Sequence, residues 1–337
     1  MERHDALAAP RAHPGFASIF RSDRLTLGVF FPIEAFEGSS PTMARQVELA
    51  QRAEALGFDA LWFRDVPLLD PAFGDAGQLY DPWVYLGYIA AQTARIALAT
   101  GSIVLPLRHP LHVAKAAASV DALSGGRLVL GVASGDRPIE YPAFGQPFDS
   151  RDAAFRESVA VMRAAWSGHF PEIRSARVHL SGADLVPKPP FGTVPLLVTG
   201  RARQSLDWIA RHADAWMSYP RDPGMQARML EAWRAAQHDS LGRVSKPFAQ
   251  SLYIDLDEEA NAAAVPIHLG YRLGDAYLLA LLRRLAALGV SHVALNLKYS
   301  RRPAGEVLEH LGSRVLPSLA LERIAPRRDA DDDAAPA

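Results

Sequence analysis

The stretch ALSGGRLVLGV, residues 122–132, joins the end of a helix to a short apolar strand through a pair of glycines. Glycine after a helix can adopt the left-handed conformation that ends it, and an unbroken apolar run suits a strand that is covered on both faces. A helix end, then a glycine or a short polar break, then an apolar strand recurs in EALGFDALWF (54–63), ARHADAWM (210–217) and AALGVSHVALNL (286–297). Repeated helix-to-strand junctions of this kind predict parallel βα units.

Eight strands can be assigned along the chain, each followed by a helix. The strands are predicted at residues 25–31, 60–64, 96–100, 128–132, 196–199, 215–217, 248–254 and 293–297. The helices are predicted at 43–56, 82–91, 111–123, 153–167, 205–212, 224–241 and 276–288, with a last one within 305–319. Eight alternations over about 300 residues match an α/β TIM barrel, the (β/α)₈ fold. Two long connections, residues 168–195 and about 255–275, predict insertions after strands 4 and 7.

A doubly wound sheet is the alternative, since short parallel strands look alike in both architectures. The first βα turn, FFPIEAFEGSSPTMARQ (30–46), lacks the G-x-G-x-x-G pattern that holds a dinucleotide in such sheets. We therefore favour the barrel and assign it residues 21–322. Residues 1–20 are interpreted as an N-terminal arm, either lying across a partner or disordered, and residues 323–337 as an acidic disordered tail.

Composition and charge exclude several classes of function. The 36 Lys and Arg residues nearly balance the 37 Asp and Glu residues, so no net field attracts nucleic acid or an anionic membrane. Cysteine is absent, which rules out disulfides, thiolate metal sites and cysteine nucleophiles. The sequence has no recognisable signal peptide and no apolar run long enough to span a bilayer, and we expect a cytoplasmic protein.

Active sites of TIM barrels lie at the C-terminal ends of the strands, so the residues that follow each strand are the ones to inspect. The strongest ligand signal is TGRARQSLDW (199–208), which places glycine, two arginines, glutamine and Ser205 directly before a helix. Free N–H groups at a helix start and arginine donors suit a phosphate. An ordinary serine cap with solvated arginines is the alternative interpretation of the same residues.

Other charged residues at the strand ends give weaker signals. Arg64 and Asp65 follow the second strand and could serve a ligand or form an ion pair. His109 and His112 have no H-E-x-x-H pattern around them, so we predict no metal site. A nucleophile elbow, G-x-S-x-G, is absent. A glycoside hydrolase would have to draw its acids from a small set: Asp65, Asp136 and Glu140.

The third strand is interrupted in an unusual way. In ATGSIVLPLRHP (99–110), Thr100, Gly101 and Ser102 stand between two apolar runs. Small polar residues add little to packing, and they suit a backbone that must leave room for something else to approach it.

Together these motifs resemble the bacterial luciferase-like family of flavin-dependent oxidoreductases. The resemblance covers residues from about 25 to 320 and is carried by three stretches: RIALATGSIVLPLRHPLHVAKAAASVDALSGGRLVLGVASGD (95–136), the helix at 155–166, and LLVTGRARQSLDWIARHADAW (196–216). It implies a (β/α)₈ barrel and a cis peptide bond between Gly101 and Ser102 beneath the isoalloxazine ring. Thr100 and Ser102 would present polar atoms to the ring edge. A further family position, Arg127, is interpreted as structural.

The resemblance also assigns the rest of the flavin site. Ser134 and Gly135 would lie near the flavin, and the residues of the turn after strand 5 would hold its phosphate, namely Gly200, Arg201, Ala202, Arg203, Gln204 and Ser205. Bacterial luciferase carries a catalytic histidine after strand 2, where this sequence has Arg64. Arginine stays protonated and cannot act as a general base. We expect Arg64 to stabilise negative charge, with Asp65 orienting it.

The resemblance implies a flavin-dependent monooxygenase that uses reduced FMN, supplied by a separate flavin reductase, and O₂ on a small organic substrate. Three alternatives stay open: hydride transfer with the deazaflavin F420, a non-catalytic flavin-binding barrel, and a barrel hydrolase without flavin. The family often forms homodimers, and we expect one here.

Overall fold

The computed structural model describes residues 12–73, 77–242 and 244–321. In chain order its strands are β1 (Thr26–Phe30), β2 (Ala60–Phe63), β3 (Ala97–Thr100), β4 (Ile103–Val104), β5 (Leu128–Ala133), β6 (Ile173–Arg174), β7 (His179–Leu180), β8 (Leu196–Thr199), β9 (Ala215–Ser218), β10 (Phe248–Leu256), β11 (Val265–Ile267), β12 (Gly270–Leu273) and β13 (His292–Asn296).

Eight of these strands form a closed parallel ring. Going round it, the order is β1, β2, β3, β5, β8, β9, β10 and β13, and β13 pairs again with β1. The eight ring strands are the eight predicted from the sequence. The predicted (β/α)₈ barrel is therefore confirmed.

The helices surround the ring, and their ends follow local sequence signals. The eight that follow the ring strands are Gln46–Leu56, Pro82–Gln92, Pro110–Ser124, Arg151–Trp166, Leu206–His212, Pro223–Leu241, Asp275–Leu288 and Ala304–His310. Shorter helical segments are Pro14–Ile19, Pro71–Phe73, Leu105–Leu107, Glu140–Ala143, Leu311–Val315 and Leu316–Leu321. Gly57, Gly125 and Gly289 end three helices in the left-handed conformation, as the recurring junction predicts. No helix in the described ranges is both long and apolar enough to cross a lipid bilayer.

The barrel interior is lined mostly by small side chains. Successive strand residues point to opposite faces, so in β2 Ala60 and Trp62 point inward while Leu61 and Phe63 pack against the helices. Inward-facing alanines recur in four other ring strands, β3, β9, β10 and β13: Ala97, Ala99, Ala215, Ala249 and Ala294. Larger apolar side chains fill the layer between the ring and the helices.

The N-terminal end of the barrel is closed by residues assigned to a separate arm from the sequence. Helix Pro14–Ile19 buries Phe16 and Ile19 among the inward-facing alanines. The amide of Gly15 donates to the carbonyl oxygen of Gly126 at 2.8 Å. The expectation of an arm across a partner or a disordered segment is thus wrong for residues 12–20, because they cover an apolar surface of their own barrel. Residues 1–11 and the predicted tail, 323–337, lie outside the described ranges.

A buried histidine beside this helix is fully hydrogen-bonded. The indole Nε1 of Trp62 donates to Nε2 of His292 at 2.9 Å. Because an indole can only donate, the ring proton of His292 is on Nδ1, which lies 2.7 Å from Oγ1 of Thr26. The Thr26 hydroxyl in turn donates to the carbonyl oxygen of Ile19. Burial lowers the pKa of His292 to about 3, so the imidazole is neutral.

Both predicted insertions contain a hairpin. In the first, β6 and β7 pair antiparallel, Ile173 opposite Leu180. In the second, β11 and β12 pair antiparallel, and β12 also pairs in parallel with the outer half of β10, from Tyr253–Gly270 to Leu256–Leu273. The second hairpin therefore extends the sheet above the C-terminal end of the ring.

Candidate functional site

A cavity of about 580 Å³ opens at the C-terminal ends of the ring strands. Its lining residues are Arg64, Asp65, Val66, Phe73, Gly101, Ser102, Val104, Ala133, Ser134, Gly135, Asp136, Arg137, Glu140, Thr199, Gly200, Arg201, Ala202, Tyr219, Tyr253, His268, Leu269, Lys298 and Tyr299. A smaller cavity of about 50 Å³ adjoins it deeper in the barrel, and five residues line both cavities: Arg64, Gly101, Thr199, Tyr219 and Tyr253. A volume of this size is typical of small-molecule sites.

The cavity brings together most of the site residues predicted from the sequence. Nine of them line it: Arg64, Asp65, Gly101, Ser102, Ser134, Gly135, Gly200, Arg201 and Ala202. Four do not: Thr100, Arg203, Gln204 and Ser205. Local hydrogen bonds account for three of the four exceptions, Thr100, Gln204 and Ser205.

The end of β3 has the geometry that the resemblance implies, except at Thr100. The Gly101–Ser102 peptide bond is cis, and a Cβ on Gly101 would lie 2.9 Å from the ring of Phe30. The Ser102 hydroxyl donates to Oγ1 of Thr199 inside the cavity wall. Thr100 points away, because its hydroxyl donates to the carbonyl oxygen of Gly131 at 2.7 Å. Its expected contact with the ring edge is therefore a wrong prediction.

The turn after β8 is divided between cavity and scaffold. Ser205 accepts from the amide of Trp208 at 3.1 Å, so it caps the seven-residue helix Leu206–His212, as the alternative interpretation expects. Gln204 donates to the carbonyl oxygen of Ala202 at 2.9 Å and accepts from Arg156 at 3.0 Å. These bonds occupy the side chains of Gln204 and Ser205, while Arg201 lies on the cavity wall.

Asp65 pairs with a different arginine from the one expected. Its carboxylate accepts from Nε of Arg108 at 3.0 Å, from Nη2 of Arg108 at 2.8 Å, and from the amide of Val104 at 3.0 Å. The side chain of Asp65 is only 1% exposed. Its described bonds thus fasten the segment after β3 to the end of β2. The predicted orientation of Arg64 by Asp65 is corrected accordingly.

Arg64 is held by the segment that follows β2. Its amide donates to Oε1 of Gln78 at 3.3 Å. A Cβ on Gly77 would lie 2.7 Å from Nη1 of Arg64, so the guanidinium packs directly against the backbone of Gly77. Arg64 lines both the main cavity and the smaller one beneath it.

A second charged pair lies on the same side of the cavity. Nη1 of Arg137 is 3.7 Å from Oε1 of Glu140, and the guanidinium of Arg137 lies 5.1 Å from the ring centre of Phe73. Burial raises the pKa of Glu140. Among the described residues, no group of three His, Asp or Glu side chains is placed to bind a metal ion. Of the three acids weighed for a hydrolase, Asp65 and Glu140 each have an arginine partner.

One wall of the cavity is made of residues that were not predicted from the sequence. It consists of Tyr219, Tyr253, His268, Lys298 and Tyr299. Inspection of the residues after the eighth ring strand would have found Lys298 and Tyr299, which follow β13 closely. His268 does not follow a ring strand, so no such sequence signal marks it. It reaches the cavity because the β11–β12 hairpin pairs with β10.

Comparison with known proteins identifies the family. A model of the luciferase-like monooxygenase family matches residues 25–310. The 4-hydroxyprotoasukamycin monooxygenase of Streptomyces nodosus subsp. asukaensis is 30% identical over 268 residues, which cover 74% of this chain and 70% of that protein. The F420-dependent hydroxymycolic acid dehydrogenase of Mycobacterium tuberculosis is 31% identical over 234 residues, 66% of this chain and 62% of that protein.

Solved structures share the fold at lower sequence identity. The EDTA monooxygenase of a Chelativorans species superposes with a TM-score of 0.74 at 16% identity, covering 91% of this chain and 96% of that one. An F420-dependent secondary alcohol dehydrogenase has a TM-score of 0.73 at 18% identity, covering 88% and 99%. The family model spans the barrel from its first strand to its eighth helix. The chain is therefore an oxidoreductase that belongs to the luciferase-like monooxygenase family, as its motifs imply.

Proposed function

We propose that this protein is a monooxygenase that binds reduced FMN and uses it with O₂ to oxidise a small organic substrate. The observation that carries the proposal is the wall formed by the ends of β3, β5 and β8. Seven of its residues are no larger than serine: Gly101, Ser102, Ala133, Ser134, Gly135, Gly200 and Ala202. Such a wall exposes backbone over a broad area and fits a large planar ring.

The cofactor's phosphate would lie at Arg201, which is on the cavity wall beside this surface. A guanidinium offers paired donors to phosphate oxygens. Arg203, in the same turn, does not line the cavity. The phosphate would thus depend on the first arginine of the GRAR sequence and not on the second.

When bound, reduced FMN would supply the two electrons with which O₂ gives one oxygen atom to the substrate and one to water. The chain's own contribution is charge and shape. The Arg64 guanidinium stays protonated and would stabilise negative charge that develops on the reduced cofactor or on a substrate oxygen. The Asp65–Arg108 pair would keep the segment after β3 in place under the ring.

The proposal extends to the protein's surroundings. A separate flavin reductase would supply the reduced FMN, as the resemblance to the luciferase-like family implies. We place both proteins in the cytoplasm and expect this one to act as a homodimer.

F420 is the second candidate cofactor, and the similarity to an F420-dependent dehydrogenase favours it. In that case the same wall would hold the deazaflavin ring and the reaction would be a hydride transfer, without O₂. The two cofactors differ in the tail beyond the phosphate, so direct binding distinguishes them.

The first experiment is an anaerobic titration of the protein with FMN, reduced FMN and F420, followed by absorbance and fluorescence. The Arg201→Ala variant should weaken binding of the preferred cofactor about tenfold, the expected loss of a charged hydrogen bond. Arg203→Ala is the matched control and should change affinity less than about twofold. Failure of all three cofactors to bind would refute the proposal.

A further inference from the structure

The cavity has a second wall whose chemistry differs from that of the first. Tyr253 lies in β10, His268 in the turn between β11 and β12, and Tyr299 after β13. The ring centres of Tyr253 and Tyr299 are 5.2 Å apart, and His268 lies 5.8 Å from Tyr253 and 6.2 Å from Tyr299. These three residues form what we call the aromatic wall.

Ring order places the aromatic wall opposite the small-residue wall. In the closed ring, β10 is four strands away from β3 in either direction, and β13 is four strands away from β5. In a ring of eight, strands four apart face each other across the barrel axis. Tyr253 and Tyr299 therefore lie across the cavity from Gly101 and Ser134.

The aromatic wall is not part of the packed interior. Tyr299 is 37% exposed, His268 is exposed and Tyr253 is half-buried. His268 meets each tyrosine edge-on, with interplanar angles of 65° and 76°. Edge-on packing is a favourable arrangement for aromatic rings, so a further ring entering the cavity would find partners of the same kind.

A cationic group adjoins the aromatic wall. Nζ of Lys298 lies 5.6 Å from the ring centre of Tyr299, and Lys298 lines the cavity. The ammonium also lies 4.8 Å from the ring centre of Phe36 and donates to the carbonyl oxygen of Gly38 at 3.4 Å. These contacts hold the charge at the edge of the aromatic wall.

We propose that the substrate is an aromatic compound with a negatively charged substituent: the aromatic wall binds its ring and Lys298 its charge. This inference rests on the proposed function, because a cofactor ring on the small-residue wall is what leaves the opposite wall to the substrate. The substrate ring then lies between the cofactor and the two tyrosines. A saturated ring of similar size makes fewer favourable contacts there.

The probes for the test are 2-naphthoate, 2-naphthol and decahydro-2-naphthoate, whose binding to the full chain is measured by calorimetry with and without saturating FMN. We expect 2-naphthoate to bind at least tenfold more tightly than its saturated analogue, and to bind in the presence of FMN. Tyr253→Leu combined with Tyr299→Leu should weaken 2-naphthoate at least tenfold. Lys298→Met should weaken 2-naphthoate but not 2-naphthol.

Tyr277→Leu is the matched control, since this tyrosine is exposed on the outer helix Asp275–Leu288 and does not line the cavity. It should leave the affinity for all three probes unchanged. Thermal unfolding of each variant checks that the fold is kept, and the single Lys298→Met variant tests the inference if the double variant does not fold.

Four results would overturn the inference: equal affinity for 2-naphthoate and its saturated analogue, unchanged affinity for 2-naphthoate in the folded double variant, unchanged affinity for 2-naphthoate in Lys298→Met, or competition between 2-naphthoate and FMN. A different result refutes the proposed function, namely that none of FMN, reduced FMN and F420 binds. If 2-naphthoate showed the expected selectivity while neither FMN nor F420 bound, the aromatic site would stand and the flavin proposal would fall.

Discussion

The two ends of the barrel use the same strands for opposite purposes. At the N-terminal end, helix Pro14–Ile19 covers the interior, and Trp62, His292 and Thr26 satisfy one another's hydrogen bonds. At the C-terminal end, the same interior opens into a cavity with charged, small and aromatic residues on its walls. The closed end should therefore control stability and the open end ligand binding, as is general for TIM barrels.

The largest effect is expected for removal of the ring that fills the closed end. Phe16 is 5% exposed and packs among the inward-facing alanines. Phe16→Ala should lower the free energy of unfolding by about 3–5 kcal/mol, because it leaves a cavity that the barrel cannot collapse to fill. Urea unfolding measures this change, and the affinity for the cofactor should stay within about twofold.

Leu123→Ala is the control, since Leu123 is 81% exposed on an outer helix. Its effect on unfolding should be within about 0.5 kcal/mol. If Phe16→Ala lowered the free energy of cofactor binding by as much as the free energy of unfolding, the closed end would control ligand binding as well as stability.

The pH dependence of stability gives the second test of the closed end. The pKa of His292 is lowered from 6.5 to about 3 by burial, so between these values the unfolded chain binds more protons at this residue than the folded one. The stability that the neutral imidazole contributes is present in full above pH 6.5 and is lost as the pH falls towards 3. Between pH 3 and pH 6.5, titration of His292 changes the free energy of unfolding by about 1.4 kcal/mol per pH unit.

His292→Gln keeps a hydrogen-bond acceptor for Trp62 and removes the titrating group. The free energy of unfolding of the variant should therefore fall less steeply with decreasing pH than that of the original chain. Burial raises the pKa of Asp59 to about 6, which acts in the opposite direction in both proteins and cancels in the difference. Equal slopes would count against a neutral buried imidazole.

The smallest effect is expected for Arg64, at the open end. Arg64→Met removes a positive charge from the cavity and keeps an unbranched side chain beside Gly77, so the free energy of unfolding should change by less than it does in Phe16→Ala. The preference for reduced over oxidised FMN should fall about tenfold, corresponding to about 1.4 kcal/mol. Anaerobic titration with both forms measures the ratio.

Arg21→Met supplies the matched loss of charge at the closed end, where Arg21 pairs with Asp23 at 3.0 Å on the surface. It should leave the ratio unchanged. A ratio that stayed the same in Arg64→Met would remove this residue from the catalytic assignment.

The sequence predicts the barrel well because its signals are local. Each ring strand is an apolar run of a few residues, and glycines such as Gly57, Gly125 and Gly289 mark the helix ends before three of them. The small-residue wall is also local, since Gly101, Ser102, Ser134 and Gly135 follow their strands directly. Helix Pro14–Ile19 has only six residues and too little periodicity to be recognised, so its role at the closed end was missed.

The rest of the site depends on contacts between distant parts of the chain. Asp65 and Arg108 are 43 residues apart, and nothing near Asp65 in the sequence shows that Arg108, instead of Arg64, binds its carboxylate. The aromatic wall depends on the pairing of β10 with β13 and on a hairpin that is itself an insertion. Such pairings are set by packing of the whole barrel and leave no mark in a short window of sequence.

The attachment of the β11–β12 hairpin has a consequence for how this barrel can diversify. It is fixed to β10 by a parallel ladder from Tyr253–Gly270 to Leu256–Leu273, and of these four β10 residues Tyr253 alone also pairs within the ring, with Asn296. An altered hairpin can therefore dock on the same ladder and present a different residue at the position of His268, while the eight-stranded framework stays intact. Under the proposed binding mode, selection for a new substrate can act on this hairpin alone, and relatives with the same barrel can come to differ in the molecules they accept.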